Sequence, residues 1–552
     1  MDHTSSTTPS LRSSTVDEKK FESSGGVTSV LPAVDDNPLY TIDEKDQDEA
    51  LKLAGTERQV FTQEEMDQVK RKIDRRVIPL LAAVYFVFAI PFVYALFKSL
   101  SSPDTDLVYP SLVDKNSLNY SSVMALPIKG EHYNLVSMAF YLGFLAFELP
   151  TGWISQHFPL AKYLGINIVL WATFLILHAA SANFGFFFAM RFLLGVFESC
   201  VSPILIAMIS GWYRKDEQAK RIGCFYIMNG ATQIIGSLMA VGVLEYNGTA
   251  VAHWRIMYFL LGGLAFIVGI SVLIWLPDSP ATAHFLTPRE KLIALERVRD
   301  NQTGTRNRTF KWYQAREAFL DVKTWALVLL VFMSCVPNGA LASFNSIIIK
   351  GFGYSSRDAL LLNLPEGACL GLTIAVCCYW ADKTNRRSLP MLIALFPTIL
   401  GLALVVGLAE SHNKAGLVVG IVLCQAYGAV LCLMYAFSAS NIAGSTKKSV
   451  FNAIFLSSFA LSNVIGTQIL RPETAPDYTQ GKIVILVLFS AAVPTVIAIN
   501  YYIRYLNKQK DKQLAELIRI NGWTPEDVER EAAKAAFSDL TDKENVFMRY
   551  LS

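Results

Sequence analysis

Four charged side chains fall inside long apolar stretches of the sequence: Glu148, Arg191, Glu198 and Glu366. A charge at membrane depth costs at least about 2.5–3.5 kcal/mol on insertion scales, so it pairs, lines a wet cavity or does chemistry. Arg191 and Glu198 form the sharpest pattern, seven apart in Arg191-Phe-Leu-Leu-Gly-Val-Phe-Glu198. Two helical turns put both on one face, about 10 Å apart along the axis. That is too far for a direct bridge on one straight helix, so each requires a ligand or a residue of a facing helix. A cavity-lining guanidinium takes a carboxylate bidentately. A carboxyl group in low dielectric gains and loses a proton near neutrality. An anion site and a proton site on one face make a cotransport device; the alternative is an interhelical ion pair that only locks packing.

The other two charges read differently. Glu148, in Phe147-Glu148-Leu149-Pro150, lies toward one end of its stretch and reads as a gating contact. Glu366, in Asn363-Leu-Pro-Glu366-Gly, sits beside a helix-breaking pair. Broken helices expose backbone dipoles at binding sites, although Pro and Gly also serve packing in membrane helices. The amides Asn229, Gln233, Asn338, Asn345, Asn441, Asn452 and Asn463 more often join helices than hold ligands. Asn338, between Pro337 and Gly339, is the one raised to a substrate-binding candidate. His178 reads as a packed or hydrogen-bonded histidine.

The elements that must carry these groups are membrane spans. Of 95 charged residues among 552, only 35 lie outside 1–76, 277–324 and 504–552. Such uneven charge excludes a soluble multidomain enzyme and a disordered chain. Twelve apolar windows of about 20 residues follow, each long enough to cross a ~30 Å hydrocarbon core as a helix. They are 77–97, 133–156, 163–181, 186–210, 222–244, 256–276, 325–349, 359–381, 388–409, 415–439, 450–470 and 483–503. None shows a period of two, so helices are expected rather than barrel strands.

The division is a disordered N-terminal tail over 1–69, a first bundle over 70–276, a linker over 277–324, a second bundle over 325–503 and a C-terminal tail over 504–552. The linker reads as a solvated connector. The C-terminal tail reads as charged and helical, lying near the membrane surface. Basic clusters at Lys70–Arg76, Arg214–Arg221, Lys383–Arg387 and Lys447–Lys448 occupy alternate loops. By the positive-inside rule both termini and the linker are cytoplasmic.

Other classes lack support. The net charge of +3 is too small to argue for nucleic acid. Walker-type loops, HExxH and GxSxG are absent from the sequence, so neither an ATP-driven pump nor a membrane hydrolase is indicated. The eight cysteines lie in or beside apolar stretches and read as small hydrophobes. No metal or cofactor is expected, and the chain is not expected to be an enzyme.

The chain resembles the major facilitator superfamily, and more narrowly the fungal allantoate permease branch of its anion:cation symporter family. The resemblance spans about 70–525. It rests on Arg71-Lys-Ile-Asp-Arg75, Asp114-Lys-Asn-Ser-Leu-Asn119, Arg191-Phe-Leu-Leu-Gly195 with Glu198, Leu276-Pro-Asp-Ser-Pro280, Val336-Pro-Asn-Gly339, Lys350-Gly-Phe-Gly353, Asn441-Ile-Ala-Gly-Ser-Thr-Lys-Lys448 and Ala475-Pro-Asp-Tyr478. It implies an all-α membrane protein with twelve transmembrane helices in two six-helix bundles and a cavity that opens alternately to each side.

It also implies uptake of a small organic anion driven by a cation, usually a proton. Allantoate, ureidosuccinate, a vitamin carboxylate, a sulfur amino acid and a dipeptide are the substrates it suggests. Matching positions assign Lys115 and Arg191, with Asn338 and Glu366, to substrate and Asp114 and Glu198 to protons. The gating residues would be Glu148, Gly152, Lys162, Asp382 and Arg386, although Gln156 stands where the superfamily motif usually has Asp.

One departure is large. Between Tyr85-Phe86 and Asp114-Lys115 the family needs about five residues, and this sequence has 27, leaving 87–112 as an unusual insert. Untranslated sequence retained in a gene model would account for it. The expected protein is a plasma-membrane, lipid-embedded monomer. A proton-coupled multidrug exporter is the alternative; the glycine–proline motif of those exporters is missing from Asn229-Gly-Ala-Thr-Gln-Ile-Ile-Gly236. A non-transporting nutrient receptor on the same fold is the rival from another class.

Overall fold

Apolar runs that must satisfy every backbone group without water can do so as helices. The computed structural model is helical throughout, with no strand among the described residues. It describes residues 61–100, 130–181, 184–244, 253–299, 301, 310–351, 354–408, 413–469, 479–536 and 538–552. Before the linker come α1 (Gln63–Leu100), α2 (Gly130–His157), α3 (Leu160–His178), α4 (Phe184–Glu198), α5 (Val201–Trp212), α6 (Lys215–Tyr226), α7 (Met228–Leu244) and α8 (His253–Trp275). The linker carries α9 (Pro288–Arg299) and α10 (Trp312–Leu320). The second half holds α11 (Val322–Gly351), α12 (Ser356–Thr384), α13 (Ser388–Gly407), α14 (Lys414–Cys424), α15 (Gly428–Asn441), α16 (Ser445–Gly466) and α17 (Thr479–Asn521), followed by α18 (Pro525–Ala536).

Among the described residues, ten helical segments are long and apolar enough to cross a membrane. The two further windows, 77–97 and 133–156, fall on α1 and α2, where part of the side chains lies outside the described residues. The helix of α1 runs on through 87–100, so the first part of the insert is helical; 101–112 lies outside the described residues.

Three spans are interrupted, each near its middle. Pro203 has no N–H to offer the Ser199 carbonyl, and α4 gives way to α5 at Ser199-Cys200. α6 and α7 part at Ile227. A 3-10 turn, Gln425–Tyr427, separates α14 from α15; such a turn inside a helix often marks a hinge.

Small residues let the helices close up. A Cβ on Gly195 would stand 2.0 Å from the Phe140 carbonyl oxygen, and one on Gly143 2.0 Å from that of Phe192, so α2 and α4 meet backbone to backbone. Between the halves, α7 meets α12 where a Cβ on Gly230 would stand 2.4 Å from the Gly367 oxygen.

The four basic loops gather at one end of the molecule, the basic face. The linker packs there rather than standing in solvent. Arg297 pairs with Glu217 at 2.8 Å and Lys72 with Glu290 at 2.7 Å. Arg299 is buried against Glu296 at 3.2 Å. Carboxylates supplied from both linker and bundle are what allow those arginines to be buried. The C-terminal tail is helical through Asn521 and again over Pro525–Ala536, as expected, and departs from that expectation over its last residues. α18 is followed by an irregular segment, 538–552, in which Thr541, Asp542, Asn545, Met548 and Tyr550 are buried.

Candidate functional site

Counted at 1.5 Å per residue from the basic-face ends of their spans, Glu198, Glu366, Gln233, Gln425 and Asn338 share one level, roughly 21–27 Å deep. Glu366 of α12 is 1% exposed. Its Oε2 accepts hydrogen bonds from Gln425 Nε2 at 2.7 Å and from Gln233 Nε2 at 3.3 Å. Gln233 belongs to the first half and Gln425 to the second, so one carboxylate is shared by both. The 3-10 turn that swings Gln425 toward Glu366 also carries Tyr427, whose hydroxyl donates to Asn338 Oδ1 at 2.6 Å. Asn338 Nδ2 donates in turn to Asn463 Oδ1 at 2.8 Å. This gives one acid and several amides at mid-depth, a surface able to accept and donate hydrogen bonds to a polar solute.

Glu198 closes α4 at the same level. It is 0% exposed, and neither carboxylate oxygen has a hydrogen-bond partner. Arg191 lies two turns farther from the basic face, as the spacing requires. Its Nη2 donates to the Tyr258 hydroxyl of α8 at 3.2 Å, and its guanidinium stands 5.7 Å from the Phe187 ring centre. Tyr258 is itself stacked on His178, ring centres 5.0 Å apart, while His178 Nδ1 bonds the Phe174 carbonyl at 2.7 Å. Arg191 and Glu198 thus sit within electrostatic reach of one another and of Tyr141, without contact. A lone ionised carboxylate in such a place costs several kcal/mol, and a bound proton removes that cost.

Two layers separate this level from the basic face. The first is aromatic: Tyr85 and Tyr226 of the first half are 5.2 Å apart between ring centres, Tyr226 is 5.8 Å from Tyr435 of the second, and Tyr435 is 5.6 Å from Phe455. All four are buried. The second layer is polar. Asp382 accepts the backbone N–H of Ala219 at 3.1 Å and of Lys220 at 2.6 Å. Arg387 donates to Asp382 at 2.8 Å and to the Lys215 carbonyl at 2.7 Å. Ser440 donates to Gln218 at 3.0 Å, and Lys448 to Ser210 at 2.8 Å. All but the Arg387–Asp382 bond cross between the halves, so the basic side is shut.

The remaining sequence candidates are placed as follows. Gly152 packs against Ala453 and Ser449 of α16, a Cβ there standing 3.6 Å from each. Lys162 and Arg386 are exposed; the arginine that reaches Asp382 is Arg387. Asn385 ends α12 in the left-handed region at φ 50°, and the chain turns there so that Arg387 faces inward. Glu148 is buried beside the Thr151–Ser199 hydroxyl pair, which is 3.3 Å apart. Asp114 and Lys115 lie outside the described residues.

Sequence reasoning missed Gln425, Tyr427 and Tyr258 as site or gate residues. Gln425 carried the same signal as Gln233, an amide within an apolar window. The carboxylates of Glu317, Asp321 and Asp542 gather as metal ligands would. Lys447 Nζ, however, bonds all three at 2.8, 2.9 and 2.7 Å and fills the place a cation would take.

Comparison with known proteins gives the family and the fold. Residues 92–467 match the model of the Major Facilitator Superfamily. The chain is 32% identical to the allantoate permease of Saccharomyces cerevisiae, covering 91% of this chain and 90% of that one. It is 30% identical to the thiamine pathway transporter of the same yeast, covering 90% and 89%. It is 28% identical to that yeast's high affinity cysteine transporter, covering 78% and 85%. Among solved structures it shares its fold with a proton:xylose symporter at a TM-score of 0.60 and 13% identity, covering 79% of this chain and 95% of that one. A human organic anion transporter follows at 0.55 and 12%, covering 77% and 99%. An all-helical chain with membrane-length spans, long matches to named transporters and a superfamily match over more than half its length is an integral membrane protein of the major facilitator superfamily.

Proposed function

We propose that this chain is a proton-coupled symporter that takes up a small organic anion by alternating access across the plasma membrane, with both termini in the cytoplasm. In this reading the basic face is cytoplasmic, as the positive-inside rule favours. Arg191, with Lys115, attracts the substrate carboxylate, and Asn338 and Glu366 with its two glutamines bind the polar remainder. Glu198 and Asp114 carry protons.

The observation that carries the reading is Glu198: a fully buried carboxyl with no hydrogen-bond partner, level with the amide-lined centre. Structural acids are normally bonded. One left bare at mid-membrane suits a group that is neutral in this closed arrangement and ionises when the cavity is wet. The relatives named for allantoate, cysteine and the thiamine pathway support a small, nitrogen- or sulfur-bearing solute, with allantoate, ureidosuccinate, a vitamin carboxylate, a sulfur amino acid or a dipeptide as the panel to try.

The test is uptake of that panel in a transporter-deficient yeast with and without a protonophore, repeated with Glu198→Gln. Concentrative uptake should vanish in the variant while exchange of preloaded substrate persists. Accumulation driven by pH at the wild-type level would end the assignment.

A further inference from the structure

Residues 538–552 cross the basic face without helix, yet their backbone is well satisfied. The segment is anchored at Asp542. Its carboxylate pairs with Lys323 of α11, with Lys447 of α16 at 2.7 Å and with the Tyr550 hydroxyl at 2.9 Å. Lys510 of α17 donates to the Asp542 carbonyl. Every one of these anchors belongs to the second half or to the segment itself.

Beyond the anchor the chain turns toward the seam. Asn507 exchanges two hydrogen bonds with the Tyr550 backbone, both 2.9 Å. Asn441, the last residue of α15, exchanges two with the Leu551 backbone, at 2.7 and 2.9 Å. The two asparagines pair with the peptide as a neighbouring strand would, leaving few polar groups bare. The Ser552 carbonyl accepts from the Arg387 N–H, the residue whose guanidinium crosses to the Lys215 carbonyl. Lys215 Nζ crosses back to the Arg549 carbonyl at 3.3 Å. The end of the segment therefore holds Lys215, at the start of α6, from two directions.

We propose that residues 549–552 are a latch on the basic face, clipping the start of α6 to the second half, so that this side opens only when the latch withdraws. The inference rests on the alternating-access reading, in which that face must open. The Asp542 bonds to Lys323, Lys447 and Lys510 involve no residue of 549–552, so the latch can leave, giving up only the Tyr550 hydroxyl bond of that anchor, while the segment remains tethered.

The test reads the seam directly. A cysteine replaces the buried Gln218 (Gln218→Cys) in a Cys224→Ser background, and the rate of its reaction with a water-soluble maleimide is measured on the purified full chain. Deleting residues 549–552 should raise that rate about tenfold, the worth of one charge-assisted hydrogen bond across the seam. A second protein carries Asn441→Cys with Leu551→Cys. With Gln218→Cys also present and modification read at position 218 alone by peptide mass, oxidation, which ties the latch down, should slow the labelling, and reduction followed by desalting should restore it on the same sample, so neither misfolding nor labelling of the released thiols can explain the change. A deletion that leaves the rate within about twofold, or an oxidised pair that labels as fast as the reduced one, overturns the latch. Neither readout involves uptake: a chain that labels as expected but accumulates no anion keeps the latch and loses the proposed function.

Discussion

Replacing Asp382 by asparagine should open the basic side. In the closed arrangement its two carboxylate oxygens accept the Ala219 and Lys220 amides of the other half, at 3.1 and 2.6 Å. Hydrogen bonds to an ionised group are worth about 1.5–3 kcal/mol each, and neutral ones about 0.5–1.5. Asp382→Asn leaves one acceptor oxygen, hence one neutral bond where two ionic ones stood. The Arg387–Asp382 bond at 2.8 Å lies within the second half, survives opening and drops out of the comparison. The closed state should lose about 2–4 kcal/mol relative to the open one, a shift of about 30- to 1,000-fold. A wild-type open fraction of about 0.1% would rise to between about 3% and 50%. Spin labels at Lys162 and Thr384, exposed residues of opposite halves, report the distance across the face by double electron–electron resonance in nanodiscs. A longer-distance population should appear in the variant. A distribution indistinguishable from wild type would refute the assignment of closure to these bonds.

Two further outcomes are expected. Gly195→Ala should force α2 and α4 apart, because the added carbon would stand 2.0 Å from the Phe140 oxygen, whereas Gly242→Ala meets nothing within 4 Å; overpacking costs about 1–3 kcal/mol or more, so the melting temperature in detergent should fall in the first variant alone. Burial opposes ionisation of Asp542, but the Lys323 and Lys447 ammoniums outweigh it and hold its carboxyl well below the usual carboxylate range; Asp321, Lys510 and Tyr550 complete its surroundings. A depressed folded-state value means a stabilisation present above the unfolded value of about 3.9 and lost only as pH falls through the folded one. Hydrogen exchange of amides 541–552, corrected for intrinsic rate, should therefore show protection constant between about pH 5 and 6, below the titration of the Lys510 ammonium, which burial pulls down to about 7, and protection already lost at pH 5 would contradict the anchor.

Much of the fold was legible because lipid imposes a simple demand: about twenty apolar residues for each crossing. The windows from 163 onward fall on helices for that reason. Glu198 and Glu366 stood out because a charge among apolar neighbours is conspicuous in any order of reading. What stayed hidden depends on direction rather than composition. Gln425 and Tyr427 point to the centre because a 3-10 turn rotates them there. Arg387 rather than Arg386 meets Asp382 because Asn385 turns the chain left-handedly one residue before that pair. The last residues of the tail read as more of a charged surface helix because their buried acid, Asp542, is neutralised by Lys323 and Lys447, 219 and 95 positions away in sequence. Local charge density carries no trace of such a partner.

The bonds that Asp382 and Arg387 make across the basic face have an asymmetric chemistry. On the second half they come from the side chains of Asp382 and Arg387; on the first, from the peptide groups of Lys215, Ala219 and Lys220. An alanine scan across α6 would leave those three peptide groups in place and would register instead the side chains of Gln218, bonded to Ser440, and of Lys215, bonded to the Arg549 carbonyl. For the Asp382 and Arg387 bonds, mutational sensitivity would map to one lip of a two-lipped closure. The side chain at 220 adds its ammonium over the Tyr379 ring, 4.5 Å from the ring centre, while proline at 219 or 220 would remove a donor outright.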